Sequence, residues 1–257
     1  MYICEGEYCM STRYIIANWK MNIKGDEARE YAIGLEQYLV NNPTQSTVVL
    51  CPPILCLPSI SSVKPTQFSL GVQNFYPMDS GSVTGEHSLA MLDSLNVSYA
   101  IIGHSERRIL FNEDEDSIAR KIKYAVEKGY SIILCIGESR EERELGITQQ
   151  RIEQQLQVLS SLPKESTTPI CIAYEPLWAI GTGIIPQVDE IATCVQSIKK
   201  YIDENLDQYS KSIYTLYGGS VTQDNVASIL AIDGIHGVLV GSASLQLDSF
   251  TGIIGKS

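Results

Sequence analysis

No apolar run in the 257-residue chain approaches the ~20 residues that a helix needs to span a bilayer, so membrane insertion is not expected. Positive charge is also scarce: Lys and Arg together number 19 against 30 Asp and Glu, a formal net charge of −11. That balance argues against nucleic acid or an anionic membrane surface as a partner. It also mildly repels an anionic substrate, which only local positive groups can overcome. Histidine is limited to His87, His104 and His236. No CxxC or Cys/His cluster has zinc-ligand spacing, so no metal site is expected. The seven cysteines (Cys4, Cys9, Cys51, Cys56, Cys135, Cys171 and Cys194) are odd in number. Four of them, Cys51, Cys135, Cys171 and Cys194, sit in apolar strand or helix patterns, where a small buried thiol is the default. The first residues, Met1 to Ser11, include Glu5 and Glu7 and lack a basic stretch followed by an apolar one, so they do not read as a secretory signal. Free thiols without an export signal point to a reducing cytosol. Residues 1–11 are expected to be a disordered extension; a start at Met10 would make residues 1–9 a tail.

No Pro/Gly/Ser-rich linker or low-complexity tract divides the chain, which predicts a single domain over residues 1–257. Short β-rich apolar runs alternate with helical patterns along it. The strand candidates are Tyr14–Ala17, Thr47–Leu50, Phe68–Val72, Tyr99–Ile102, Ile132–Ile136, Ile170–Ala173, Ile213–Tyr217 and Gly237–Val240. Most lack apolar/polar alternation, as parallel strands buried on both faces do. Between them Ile118, Ile122, Ala125 and Val126 fall on one helical face; so do Ile152, Leu156 and Leu159, and so do Ile191, Val195, Ile198 and Ile202. A first helix is expected over Glu27 to Val40 and a short late one around Val226, Ile229 and Leu230. Eight βα units in a chain of this length predict an α/β fold, a closed (β/α)8 barrel of parallel strands ringed by helices. An open doubly wound sheet is the alternative. It would usually carry a glycine fingerprint after the first strand, where this chain has Asn18-Trp19-Lys20-Met21-Asn22.

Barrel chemistry collects at the C-terminal ends of the strands. The richest such end is Ala173-Tyr174-Glu175-Pro176-Leu177-Trp178-Ala179-Ile180-Gly181-Thr182-Gly183. A carboxylate follows a buried strand, Pro176 fixes φ behind it, and an apolar tip with two glycines comes next. These are the parts of a base carried on a mobile, water-excluding cover; a Gly-rich βα turn with a solvated Glu is the plainer alternative. Strand 1 ends at Asn18 and Lys20, where an ammonium can face a substrate oxygen. Strand 4 ends at Gly103-His104-Ser105-Glu106-Arg107-Arg108. Here Ser105 and Glu106 are candidates to cap a short helix whose N-terminus disfavours the protonated imidazole of His104. A neutral ring can hydrogen-bond a carbonyl and shuttle protons. Strands 7 and 8 end in Tyr217-Gly218-Gly219-Ser220 and Val240-Gly241-Ser242-Ala243-Ser244. Glycines in these neighbouring loops let backbone N–H groups approach an anion, and a helix start after strand 8 would add to the attraction.

Taken together these motifs resemble the triosephosphate isomerase family. The matching pieces run in order through nearly the whole chain: Asn18-Trp19-Lys20-Met21-Asn22, Gln73-Asn74, Thr84-Gly85-Glu86, Gly103 to Arg108, Cys135-Ile136-Gly137-Glu138, Tyr174-Glu175-Pro176 with Trp178 to Gly183, Tyr217 to Val221, and Gly241 with Ala243-Ser244-Leu245. The resemblance implies that Glu175 is the base, His104 the electrophile and Lys20 the electrostatic anchor, with Asn18 lining the site and Glu106 close by. It implies that Gly181, Ser220, Gly241 and Ser242 hold a substrate phosphate through backbone N–H groups. The expected reaction is the interconversion of dihydroxyacetone phosphate and glyceraldehyde 3-phosphate in glycolysis and gluconeogenesis, without metal or organic cofactor. Two departures stand out. The family usually has a second glycine where this chain has Ser242, and the far end of the cover, Ile184-Ile185-Pro186, is shorter than usual.

The segment Gln73 to Glu86 is long for a βα loop and carries apolar Phe75, Tyr76, Pro77, Met78 and Val83. Such a loop suits insertion into a second copy of the chain, so a homodimer is expected; the resemblance agrees, placing Thr84 of one subunit near Asn18 of the other. Two other functions remain open at this point. One is a different phosphosugar enzyme, an epimerase or an aldolase. The other is a binding protein that kept the fold, although Lys20, His104 and Glu175 are all present.

Overall fold

Each strand is apolar on both sides because both sides are covered. The computed structural model describes residues 13–162, 167–179 and 186–257. Its strands are Tyr14–Asn18 (β1), Thr47–Cys51 (β2), Ser69–Val72 (β3), Val97–Ile102 (β4), Ser131–Ile136 (β5), Ile170–Tyr174 (β6), Ile213–Tyr217 (β7) and Gly237–Val240 (β8). They pair parallel in chain order, and β8 pairs back onto β1, so the sheet closes into a barrel. The expected fold class is therefore the observed one, with strand boundaries within about two residues of the apolar runs. The open doubly wound sheet is excluded by the β1–β8 pairing.

Around the barrel, among the described residues, run α1 (Gly25–Asn41), α2 (Leu57–Ser61), α3 (Ser105–Leu110), α4 (Glu115–Glu127), α5 (Arg140–Glu144), α6 (Thr148–Leu156), α7 (Val188–Asn205), α8 (Val226–Leu230) and α9 (Leu247–Ile254). The stripes read from periodicity are the faces they bury. Ile118, Ile122, Ala125 and Val126 of α4 all pack in the outer core, as do Ile191, Val195, Ile198 and Ile202 of α7. Helix starts are set locally. Asp114 accepts the Ser117 N–H at 2.8 Å ahead of α4, and reciprocal capping boxes join Ser139 to Glu142 and Gln187 to Glu190.

Side chains alternate between the two cores with a period of two. Ile15 and Ala17 face the helices, whereas Tyr14 and Ile16 face the barrel axis. The inner core is completed by Val49, Cys51, Tyr99, Ile101, Ile133, Cys135, Cys171, Ala173, Leu216 and Leu239, with Tyr214 against it. One further step of that alternation toward the C-terminal mouth reaches Asn18 on β1, Gly103 after β4, Gly137 after β5, Glu175 after β6, Gly218 after β7 and Gly241 after β8. The same step reaches Pro53 after β2 and Gln73 after β3, so four of the eight steps end on glycine.

Candidate active site

Glu175 occupies the space beside two of these glycines. A Cβ on Gly137 would lie 1.8 Å from the Glu175 carbonyl oxygen, and a Cβ on Gly218 would lie 2.9 Å from Glu175 Cγ. The backbone continues to pair beyond the strands: Glu175 N–H donates to Ile136 O at 2.7 Å, and Gly218 N–H to Tyr174 O at 2.7 Å. Glu175 is 2% exposed and is held at both ends of its carboxylate. Its Oε2 accepts the Ser105 backbone N–H at 3.2 Å, and its Oε1 lies 3.2 Å from His104 Nε2. Cys135 stands beside it as a neutral thiol, its pKa pushed well up by burial and by the adjacent carboxylate.

His104 caps α3. Its Nδ1 accepts the Glu106 N–H at 3.2 Å. Sequence reasoning looked to Ser105 and Glu106 for that cap; the structure gives it to the imidazole, because His104 is the last residue in extended conformation before the helix. The consequence is chemical. A backbone amide can only donate, so Nδ1 carries no proton, and the ring is the neutral tautomer with its proton on Nε2. That N–H is the donor presented to the site.

Lys20 lies two residues past β1 in a left-handed conformation, φ 52°. Three contacts hold it there. Its N–H donates to Asn18 Oδ1 at 3.0 Å, and Gln73 Nε2 donates both to Lys20 O and to Cys51 O, each at 2.9 Å. The adjoining Trp19 is fully buried. The Lys20 ammonium pairs with Glu106 Oε1 at 2.6 Å.

A cavity of about 290 Å³ opens at the mouth between these groups. Asn18, Lys20, His104 and Glu175 border it on one side; Gly218 to Thr222, Leu239 and Gly241 to Ala243 border it on the other. Of the residues named from sequence, Asn18, Lys20, His104, Glu175, Ser220, Gly241 and Ser242 therefore share one cavity. Glu106 and Ser105 stand just behind, on Lys20 and Glu175 respectively. Gly181, with Ile184 and Ile185, lies outside the described residues. The helix expected after β8 is reduced to a three-residue 3-10 turn, Ser242–Ser244, with α9 starting only at Leu247. Any helix-dipole attraction there is correspondingly small, and nearby backbone N–H groups remain the anion donors available.

Three residues matter more than the sequence reading allowed. Gln73, seen only as part of a motif, sets the backbone of Lys20. Glu138 is fully buried; its Oε1 accepts Trp178 Nε1 at 2.8 Å and the Tyr174 hydroxyl at 3.1 Å, and burial raises its pKa. Arg108 ties the end of β4 to that of β5, donating to Gly103 O at 2.7 Å and Cys135 O at 3.3 Å while pairing with Glu115. Only Gln73 directly follows a strand; Glu138 comes after Gly137, and Arg108 lies within α3.

An eight-stranded parallel barrel whose mouth holds a carboxylate, a neutral imidazole N–H and an ammonium around one open cavity defines an enzyme built for proton transfer next to a polarised carbonyl. Comparison with known proteins narrows that class. A family model described as triosephosphate isomerase matches residues 13–257. The triosephosphate isomerase of Lawsonia intracellularis is 44% identical over 242 residues, covering 93% of this chain and 96% of that protein. One from Clostridium botulinum is 39% identical over 95% of this chain and 99% of its own, and one from Legionella pneumophila 36% identical over 95% and 98%. The chain belongs to the triosephosphate isomerase family.

Proposed function

We propose that the chain interconverts dihydroxyacetone phosphate and D-glyceraldehyde 3-phosphate in glycolysis and gluconeogenesis, with Glu175 as the base, His104 as the electrophile and Lys20 as the electrostatic anchor. The observation that carries the reading is the pairing of a buried Glu175 with the His104 Nε2–H at 3.2 Å on the wall of the same cavity as Lys20. Glu175 takes a proton from the carbon beside the carbonyl, the electron pair moves onto the carbonyl oxygen, and the enediolate so formed accepts hydrogen bonds from His104 Nε2 and Lys20 Nζ. The hydroxyl proton then passes from one enediolate oxygen to the other by way of His104 Nε2, and Glu175 returns the carbon-derived proton to the neighbouring carbon, which completes the isomerisation. A Glu base with a neutral His is the family's own established arrangement; here the Glu106 N–H on Nδ1 supports that tautomer. Asn18, Ser220, Gly241 and Ser242 are assigned to substrate binding, as is Gly181, which lies outside the described residues. Glu106 and Ser105 support Lys20 and Glu175.

The proton transfers need no metal or organic cofactor. A coupled assay with glyceraldehyde 3-phosphate in EDTA tests this directly. Full turnover is expected, with inorganic phosphate competing. Inhibition by EDTA that a divalent ion reverses would favour an epimerase, and a Schiff base trapped by borohydride on Lys20 an aldolase.

The working form is proposed to be a homodimer built on single barrel domains. Met21 after β1, Leu55 after β2, Met78 after β3 and Phe111 after α3 are exposed large apolar residues, Met21 to 94%. They follow neighbouring strands, so they lie along one side of the mouth, next to residues 73–86. A monomer mass by light scattering at micromolar concentration, with full activity, would reject the dimer. Five described cysteines are free and buried, which suits a reducing cytosol. Among the described residues no helix is long and apolar enough to cross a membrane.

A further inference from the structure

Three residues beyond Glu175, the nearly buried Trp178 donates its indole N–H to Glu138. The guanidinium of Arg143, on α5, lies over that indole with its carbon 3.9 Å from the ring centre. The same guanidinium reaches Glu190 through Nη2. Glu190 stands in the first turn of α7, where its other oxygen accepts the Gln187 N–H at 2.8 Å. One side chain therefore touches two separate segments, the one that continues from Glu175 and the one that opens α7. A planar guanidinium can stack on an aromatic face and pair with a carboxylate at once, which an ammonium cannot do. Its charge also opposes the burial that raises the pKa of Glu138, so it favours the ionised acceptor on which Trp178 depends. α5 has a capping box of its own in Ser139 and Glu142, so neither contact is needed to form the helix.

We propose that Arg143 is a positioning residue of the isomerase site: stacked on Trp178 and paired with Glu190, it holds residues 175–178 in place at the barrel mouth. The inference rests on Glu175 being the base. The mechanical path is short. Leu177 N–H donates to Glu138 O at 3.1 Å and Ala179 N–H to Pro176 O at 2.9 Å, so residues 176–179 form a compact turn against residue 138. A displaced indole tilts that turn, and Glu175 is its next neighbour in the chain.

The test compares Arg143→Ala, Arg143→Lys, Trp178→Leu and the double variant Arg143→Ala/Trp178→Leu. Arg143→Ala is expected to lower kcat/KM about tenfold, mainly in kcat, because small misplacements of a reacting group are costly. Arg143→Lys keeps the pair with Glu190 without the flat stack and recovers only part of that loss. The double variant should lose less than the product of the two single losses, since both substitutions break the same stack. Acrylamide quenching gives a readout free of turnover. Trp19 is fully buried, so increased quenching in Arg143→Ala reports Trp178. Losses that multiply in the double variant, or unchanged kcat/KM whatever the quenching, would overturn the proposal. Wild-type protein without isomerase activity would instead overturn the reading of the site, and unchanged quenching would then reject the Arg143 contact on its own.

Discussion

The two ends of the barrel interior are built from the same alternation and come to opposite results. Toward the N-terminal end the inward positions hold Tyr14, Tyr99 and Tyr214, with the Tyr14 and Tyr214 rings 4.8 Å apart. Above them Ile16, Ile101, Ile133 and Leu216 fill the axis. At the C-terminal mouth Asn18, Glu175, Gly218 and Gly241 border the cavity instead. At one end burial fills space; at the other it immobilises a carboxylate on the wall of an open cavity. The site is thus a layer of core from which side chains have been withheld, and the rigidity of the packed layers beneath is what lets Glu175 be fixed at its edge.

The largest effect expected from disturbing the mouth is that of Glu175→Asp. Shortening the side chain by one methylene retracts the carboxylate by about 1 Å and should cost on the order of 10²-fold in kcat, with folding intact. Near wild-type kcat in a well-folded variant would remove Glu175 from the role of base. Next, two inward positions of one strand set the ends against each other. Gly218→Ala adds a methyl 2.9 Å from Glu175 Cγ; it should lower kcat by roughly 10- to 100-fold through misplacement. Leu216→Ala, one inward step below, should leave kcat largely intact and cost about 2–5 kcal/mol of stability as a cavity in the packed layer. If Gly218→Ala only destabilises and Leu216→Ala only inactivates, the contrast between the two ends is wrong. Steady-state kinetics beside urea unfolding reads both.

A smaller effect comes from Glu138, a second carboxylate buried at the mouth. Its folded pKa is raised by burial, with Trp178, Tyr174 and Arg143 opposing. A raised carboxylic acid pKa means that the stability held with the protonated form is fully present below the unfolded pKa and is lost as pH rises through the folded one. Stability should therefore fall as pH climbs from about 4.3 upward. Glu138→Gln keeps an oxygen for Trp178 and Tyr174 and should flatten that part of the profile. A Tm against pH curve that is the same for both proteins would show that Glu138 does not titrate there.

The barrel was legible because closure imposes two patterns at once: strands apolar throughout, and helices apolar on one face. Ile118, Ile122, Ala125 and Val126 announced α4 for that reason. Asn18, Lys20, His104 and Glu175 were legible because each polar residue interrupts an apolar run at the mouth. The local hydrogen bonds were less so. The cap of α3 fell to His104 because the backbone turns at that residue, a fact of φ and ψ that composition does not carry. Arg143, Gln73 and Glu138 act across long sequence separations, and spacing along the chain does not reveal such contacts. The dipole expected after β8 depended on a helix length that α9, starting at Leu247, does not supply.

The smallest expected effect is at Ser242, where the sequence departs from the family's second glycine. Glycine in a phosphate-binding loop often has positive φ, a conformation that costs a serine on the order of 1 kcal/mol or more. Ser242 is not among the positive-φ residues, and it begins the 3-10 turn with Ser244 N–H bonded to Gly241 O at 2.9 Å. The residue thus has an ordinary backbone conformation. Ser242→Gly should relieve nothing, and by loosening the unfolded chain it should lower stability by roughly 0.4–1 kcal/mol. Its backbone N–H is unchanged, so inhibition by inorganic phosphate should persist with a similar constant. A urea midpoint that rises in Ser242→Gly, at unchanged m-value, would show that the loop is strained after all. Phosphate inhibition that disappears would show that the serine hydroxyl, and not the backbone, carries this side of the mouth.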